Sequence, residues 1–336
     1  MRTGQSLVRP GPEASSEQAS DAVDGLRAAA ERARGHVAAY TGLSADPTRT
    51  PVLVVDRKSW VQASAEGFAV LAEPLERRLA QVKGATPLVR AAGARVTGLE
   101  VGGLLAFMSS RVLGQFDPYS GPAGRLLLIA PNIVAAEREL DVPAEDFRLW
   151  VCLHEETHRL QFGGVPWLAG HLQGQIETLA DSTDLQGADL TKLVEQAVTL
   201  VGRLLRGDDE ASLLDLVQSA DQKRVVDRIT AVMALLEGHA DVVMDGVGPE
   251  VVPSVVTMRE RLGKRRKGRG PLDRTARRLL GLEAKMRQYR DGAAFVRAVV
   301  AREGQQGFAA VWRSPDHLPT ATEILDPGAW CRRVLG

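Results

Sequence analysis

The chain has 336 residues, 44% of them apolar, with 42 basic and 42 acidic side chains and a formal charge of zero. That is enough apolar material for a sizeable core, and the charge balance argues against nucleic acid or an anionic membrane as a partner. Its two cysteines, Cys152 and Cys331, make no disulfide framework and fit a reducing cytosol, while 4% aromatic residues argue mildly against a broad hydrophobic peptide cleft.

Met1 to Asp21 is polar and lacks the apolar run of an export signal, so a cytoplasmic protein is expected. Residues 1–20 read as a polar lead-in. Residues 21–336 read as one mainly helical domain with a small β-sheet (α+β) and an internal cleft, since no Ser/Gly/Pro linker divides them. Ala22 to Tyr40 is Ala-rich with helical spacing. Pro51 to Asp56 is a short apolar, β-branched run that predicts a buried strand. Ser64 to Ala80 and Thr97 to Leu113 read as helices. Between Glu100 and Arg111 lie only about ten uncharged residues, half of what a bilayer crossing needs. Gly124 to Ala130 predicts a second strand. It can offer a free edge, Arg125 to Ala130, to an extended peptide, pair with residues 52–55 in a small sheet, or do both.

The next helix carries the chemistry. Val142-Pro143-Ala144-Glu145-Asp146 suits a helix start, and Gly163-Gly164-Val165-Pro166 a stop, which gives about 18 residues between them. Phe147, Trp150, Val151, His154, His158 and Gln161 recur at spacings of three and four, so this stripe is expected to face the core. Within it, residues 154–158 read His-Glu-Glu-Thr-His. With six His in 336 residues, such a pattern arises by chance in roughly one chain of this length in a hundred, so context must carry the assignment. Positions i and i+4 of a helix share a face about 5–6 Å apart at Cβ, close enough for His154 and His158 to grip one zinc ion. Glu155 between them can then take a proton from a zinc-bound water as general base. Two His on an amphipathic helix can also be plain core residues.

A zinc site needs a third protein ligand. Gln161 and Gly164 stand where a metzincin would continue its motif, which excludes that pattern. Downstream, Leu190 to Leu205, Ala211 to Ala220 and Asp221 to Met244 read as helices. The stripe Val226, Ile229, Val232, Met233, Leu236 leads into Glu237-Gly238-His239-Ala240-Asp241. Glu237 and Asp241 share a face, so Glu237 can complete the metal shell while Asp241 accepts the free N–H of a ligating His. Thermolysin-like gluzincins use this combination, with a shorter gap than the 79 positions from His158 to Glu237 here. His171 and His239 are rival third ligands or ordinary partly buried His. Asp181 and Asp184 can support the site or simply cap helices.

Ten Lys or Arg stand between Arg259 and Arg278, Lys264-Arg265-Arg266-Lys267 among them. They form either a phosphate-binding patch or a solvated loop broken by Gly263, Gly268, Gly270 and Pro271. The absence of interleaved aromatics favours the loop. Thr275 to Ala301 reads as a helix. A donor for the developing oxyanion can be Tyr289, His317, His239 or Tyr119, and spacing does not choose among them.

Taken together, Leu7 to Pro12, Arg125 to Asn132, the run from His154 to Phe162, Glu237 to Asp241, Lys285 to Tyr289 and Leu318 to Thr320 give a resemblance that spans nearly the whole chain. It is to the zincin-like proteins of actinobacteria and related bacteria, labelled zinc-dependent metalloproteases or deazaflavin-coenzyme biosynthesis-associated proteins. The resemblance implies a zincin-type site holding one zinc ion on a mainly helical domain; in the family pattern Leu7 to Pro10 follow a further short helix, so the N-terminus here reads as abbreviated. It supplies no substrate and no oxyanion donor. The expected function is a zinc-dependent hydrolase, a metallopeptidase acting on a restricted peptide or protein substrate, with His154, His158 and Glu237 as ligands and Glu155 as base. A zinc-stabilised helical scaffold without turnover is the alternative, and the intact Glu155 speaks against it.

Overall fold

The computed structural model of the protein describes residues 5–46, 50–81, 102–182, 219–268 and 282–336. They are mainly helical with a small sheet. The chain divides into two compact units, one of Met1–Glu73, Lys83–Ala169 and Val243–Leu262, the other of Pro74–Val82, Gly170–Val242 and Gly263–Gly336.

In the first unit, α1 (Ser16–Thr41) begins ahead of the Ala-rich pattern. Ser15 Oγ accepts from Gln18 N at 3.1 Å, and Gln18 Oε1 accepts from Ser15 N at 3.0 Å. This reciprocal capping box turns part of the polar lead-in into a helical turn. Leu26, Ala29, Ala30, Ala33 and Val37 form its buried face. The small alanines let it lie close against α4 (Ala144–Gly164), whose Phe147, Trp150, Val151 and Leu160 share the same core.

The sheet has β3 (Arg125–Ile129) at its centre, parallel to β1 (Val52–Val55) and antiparallel to β2 (Gly114–Asp117). Val52 lies opposite Leu126, and Gly114 opposite Leu128. Alternation along β3 sends Leu126 and Leu128 to the α1/α4 core and Leu127 and Ile129 to Trp60, Val61 and Ala63 of α2 (Arg57–Gln81). The pairing of Gly124 to Ala130 with residues 52–55 is found. The free edge expected of Arg125 to Ala130 is not, because β1 and β2 take the hydrogen-bonding groups on both sides of β3. β1 is likewise less buried than its composition suggests. It sits at an edge of the described sheet, and Leu53 is 40% exposed.

The helix expected from Thr97 to Leu113 is seen at residues 102–108 and gives way to β2; residues 97–101 lie outside the described residues. Next comes α3 (Ala130–Leu140), where buried Asn132 acts as a clip. Its Nδ2 donates to the carbonyls of Ser109 (2.7 Å) and Val112 (2.5 Å), and its Oδ1 accepts from Arg57 Nε at 2.7 Å. Arg57 in turn holds the carbonyls of Arg9 and Pro10. Lys264 to Lys267, expected in a loop, continue α7 (Val255–Gly268) as helix. Ahead of them Arg259 pairs with Asp245, and Arg261 binds the Leu140 carbonyl at 2.7 Å.

The second unit is built on α6 (Ala220–Gly246) and α8 (Leu282–Phe308), with α5 (Leu168–Asp181) ahead of them and α9 (Ala321–Leu325) and α10 (Pro327–Val334) after. Phe295 meets Trp330 edge-on at 5.7 Å, and Trp330 Nε1 donates to the His317 carbonyl at 2.7 Å. α6 and α8 cross at backbone contact. A Cβ on Gly238 would overlap Gly292, its carbonyl oxygen 2.7 Å away, and one on Gly292 would lie 2.6 Å from the Ala234 carbonyl carbon. Gly292→Ala is therefore expected to cost about 1–3 kcal/mol by overpacking. Urea unfolding of the variant checks this. Leu190 to Leu205, Thr275 to Gly281 and Asp184 lie outside the described residues.

Candidate metal centre

α4 follows the punctuation of its sequence, with Pro143 at the N-cap, Glu145 and Asp146 in the first turn, and Gly164 as its last residue. Its burial differs from expectation. Side chains are buried on nearly every face, Glu155, Glu156, Thr157, Arg159 and Gln161 among them, whereas His154 and His158 are only half-buried. The stripe expected to face the core is buried at Phe147, Trp150, Val151 and Gln161 and partly open at the two histidines.

The two rings are held in a specific way. His158 Nδ1 lies 2.9 Å from Gln161 Oε1, an atom that only accepts, so the contact favours the tautomer with the proton on Nδ1 and the lone pair on Nε2. His154 Nδ1 lies 3.2 Å from Met244 Sδ, a weak acceptor that favours the same tautomer. The two Nε2 atoms face one another at 3.2 Å, with the rings edge to face at 4.7 Å. Zinc-ligating nitrogens about 2.0–2.1 Å from a tetrahedral ion are about 3.3–3.4 Å apart, so this donor pair fits zinc.

The candidate third donor, Glu237, lies on α6, and the same helix carries Met244, the neighbour of His154. Glu237 stands two helical turns before Met244 on the same face. One possible ligand atom from each of His154, His158 and Glu237 lies within 4.8 Å of the others. Asp241, on that face too, pairs with Arg297 at 3.4 Å.

Glu155 is 6% exposed and lies against the inner end of β2, where Gly114 has no side chain. Glu156 and Arg159, on another face of α4, form a buried ion pair with Nε 2.8 Å from both carboxylate oxygens, and Arg34 Nε stands 4.0 Å away. Cys152 is buried beside the Leu26 carbonyl, and burial first, then Glu155 and Glu156, pushes its thiol well above the ordinary range. It is a small core residue, as expected.

The other candidates are dispersed. His239 is buried, with its ring 5.2 Å from Phe308 and 5.4 Å from Trp312. His171 on α5 is half-buried, its proton affinity lowered by burial and then by Arg228. Tyr119 donates to the Ala169 carbonyl at 3.4 Å, and burial, then Asp117, raises its hydroxyl to about 12. His317 has a buried Nδ1 with no hydrogen-bond partner among the described residues. The Tyr289 side chain lies outside the described residues, and Asp181 ends α5.

Reading the sequence missed Gln161 as the partner of His158, Met244 as the partner of His154, and Gly114 as the neighbour of Glu155. For Gln161 a signal existed, since it stands at i+3 from His158 on the helix. The other two depend on contacts between distant segments.

A family model described as "Zincin-like metallopeptidase" matches residues 1–331. None of the curated proteins compared matches the chain. Among solved structures, the chain is similar to one from Chloroflexus aurantiacus described as a "putative hydrolase with a novel fold". The two are 28% identical, the match covers 99% of this chain and 96% of that one, and the TM-score is 0.70.

Proposed function

The chain belongs to the zincin-like metallopeptidase family, and on that footing we propose that it is a zinc-dependent hydrolase cleaving a restricted peptide or amide substrate in the cytoplasm. The observation that carries the reading is the pair of opposed Nε2 atoms of His154 and His158, 3.2 Å apart, with a Glu237 oxygen close by. These three residues would hold one ion, and Gln161 favours the His158 tautomer with the lone pair on Nε2. Bound zinc would supply a Lewis acid for the scissile carbonyl and lower the pKa of water to roughly 7.

The remaining work falls to side chains. Glu155 takes the proton of the attacking water on its carboxylate and delivers it to the leaving amine. Asp241 shares a helix face with Glu237 and would support the ligand set through it. A scaffold that merely held an ion would have no use for a buried carboxylate beside its first ligand. The cytoplasmic assignment draws on two buried, unpaired thiols, Cys152 and Cys331. Among the described residues, no helix is long and apolar enough to cross a membrane.

The test joins metal analysis of the purified protein with turnover of a peptide library. One zinc per chain and chelator-sensitive cleavage are expected. Chelation should also lower Tm and zinc should restore it, because a ligand that binds the folded state stabilises it. Bound zinc with no cleavage across the library would sink the hydrolase reading.

A further inference from the structure

We propose that Gly114 is a positioning residue for Glu155: the bare backbone at the inner end of β2 sets where that carboxylate lies. This rests on the reading of Glu155 as the group that handles the proton. A Cβ at position 114 would lie 2.6 Å from Glu155 Cδ and 2.7 Å from Oε1, well inside van der Waals contact. Gly114 is not among the glycines with positive φ, so any residue could adopt its backbone. What the position cannot accommodate is volume.

Neither backbone is free to retreat. Gln115 Oε1 accepts from Trp60 Nε1 at 2.7 Å and Ser64 Oγ at 3.2 Å, which ties β2 to α2. On the opposite face Phe116 stacks on Phe162 of α4 at 5.8 Å, while Asp117, on the Gln115 face, accepts from Arg125 at 3.1 Å. β2 is also hydrogen-bonded to β3, with Gly114 facing Leu128. α4 is buried on both sides of Glu155. The Glu155 side chain is therefore the part that must move when position 114 gains an atom, and its carboxylate leaves the place it holds against the bare backbone.

Gly114→Ala is expected to leave one zinc per chain and KM within about twofold while kcat falls about 10²-fold, the loss typical of a reacting group misplaced by roughly an ångström. A merely structural role would not give that split. In a Glu155→Asp background, where the side chain is one methylene shorter, the penalty of Gly114→Ala on kcat is expected to shrink at least tenfold. Unchanged kcat in Gly114→Ala, or loss of zinc with the activity, overturns the proposal.

A second cycle works without turnover. Gly114→Ala should lower Tm in the wild type and not in Glu155→Ala, which lacks the atoms it would strike. Equal losses in both backgrounds overturn the proposal even if no substrate is found. An inactive wild type with this coupling intact would refute the reaction and uphold the placement.

Discussion

Glu155→Gln is expected to lower kcat by about 10²–10⁴-fold while one zinc per chain stays bound. The amide has nearly the volume of the carboxylate, so it fits the same space beside Gly114 and keeps α4 packed as before. It cannot accept a proton, and it carries no negative charge. His154→Ala makes the contrast, because it deletes one of two nitrogens 3.2 Å apart and is expected to abolish stoichiometric zinc as well as turnover. Metal analysis alongside steady-state kinetics separates the two. Should Glu155→Gln keep more than a tenth of the wild-type kcat with zinc bound, the base lies elsewhere.

The largest expected effect on stability lies one turn further along the same helix. Arg159→Met is expected to destabilise the protein by about 3–5 kcal/mol, because it leaves the Glu156 carboxylate charged and buried. Both side chains are 2% exposed, and Glu156 takes the Arg159 Nε at 2.8 Å on each oxygen. Arg34, 4.0 Å away and shared with Glu31, is too distant to replace that contact. The double variant Glu156→Gln, Arg159→Met removes both charges and is expected to recover most of the loss, since a buried pair contributes little net stability over neutral neighbours of similar size. Urea unfolding of the wild type, both single variants and the double variant gives the coupling directly. A single-variant loss under about 1 kcal/mol would mean that water reaches the pair.

The punctuation of the chain made much of this legible. Pro143 and Gly163-Gly164 bound α4 because proline and glycine act through local backbone geometry that a sequence shows directly. The strands at 52–55 and 125–129 were readable from their apolar runs. β2 was not, since Gly-Gln-Phe-Asp carries no apolar alternation and owes its extended form to pairing with β3. That omission made β3 look like an edge, because a strand's own sequence does not name its neighbours. The burial of α4 escaped for a related reason. Helical period locates a face when one side meets solvent, and here other elements cover the helix on nearly all sides. Ser15 and Gln18 carried a cap signal that the polar composition around them obscured.

The core of the first unit is closed by Val243, Met244, Val252, Val255 and Met258, residues that follow a large part of the second unit in the chain. A ribosome releases α1, the sheet and α4 long before it releases this segment. Until then α4 lacks the side chains that complete its surroundings, and His154 lacks Met244. Contacts of such long sequence separation form late because loop closure must precede them. The nascent chain thus presents His154 and His158 on a helix whose own core is still open during synthesis, and that core is complete only after Val243 to Met258 have emerged.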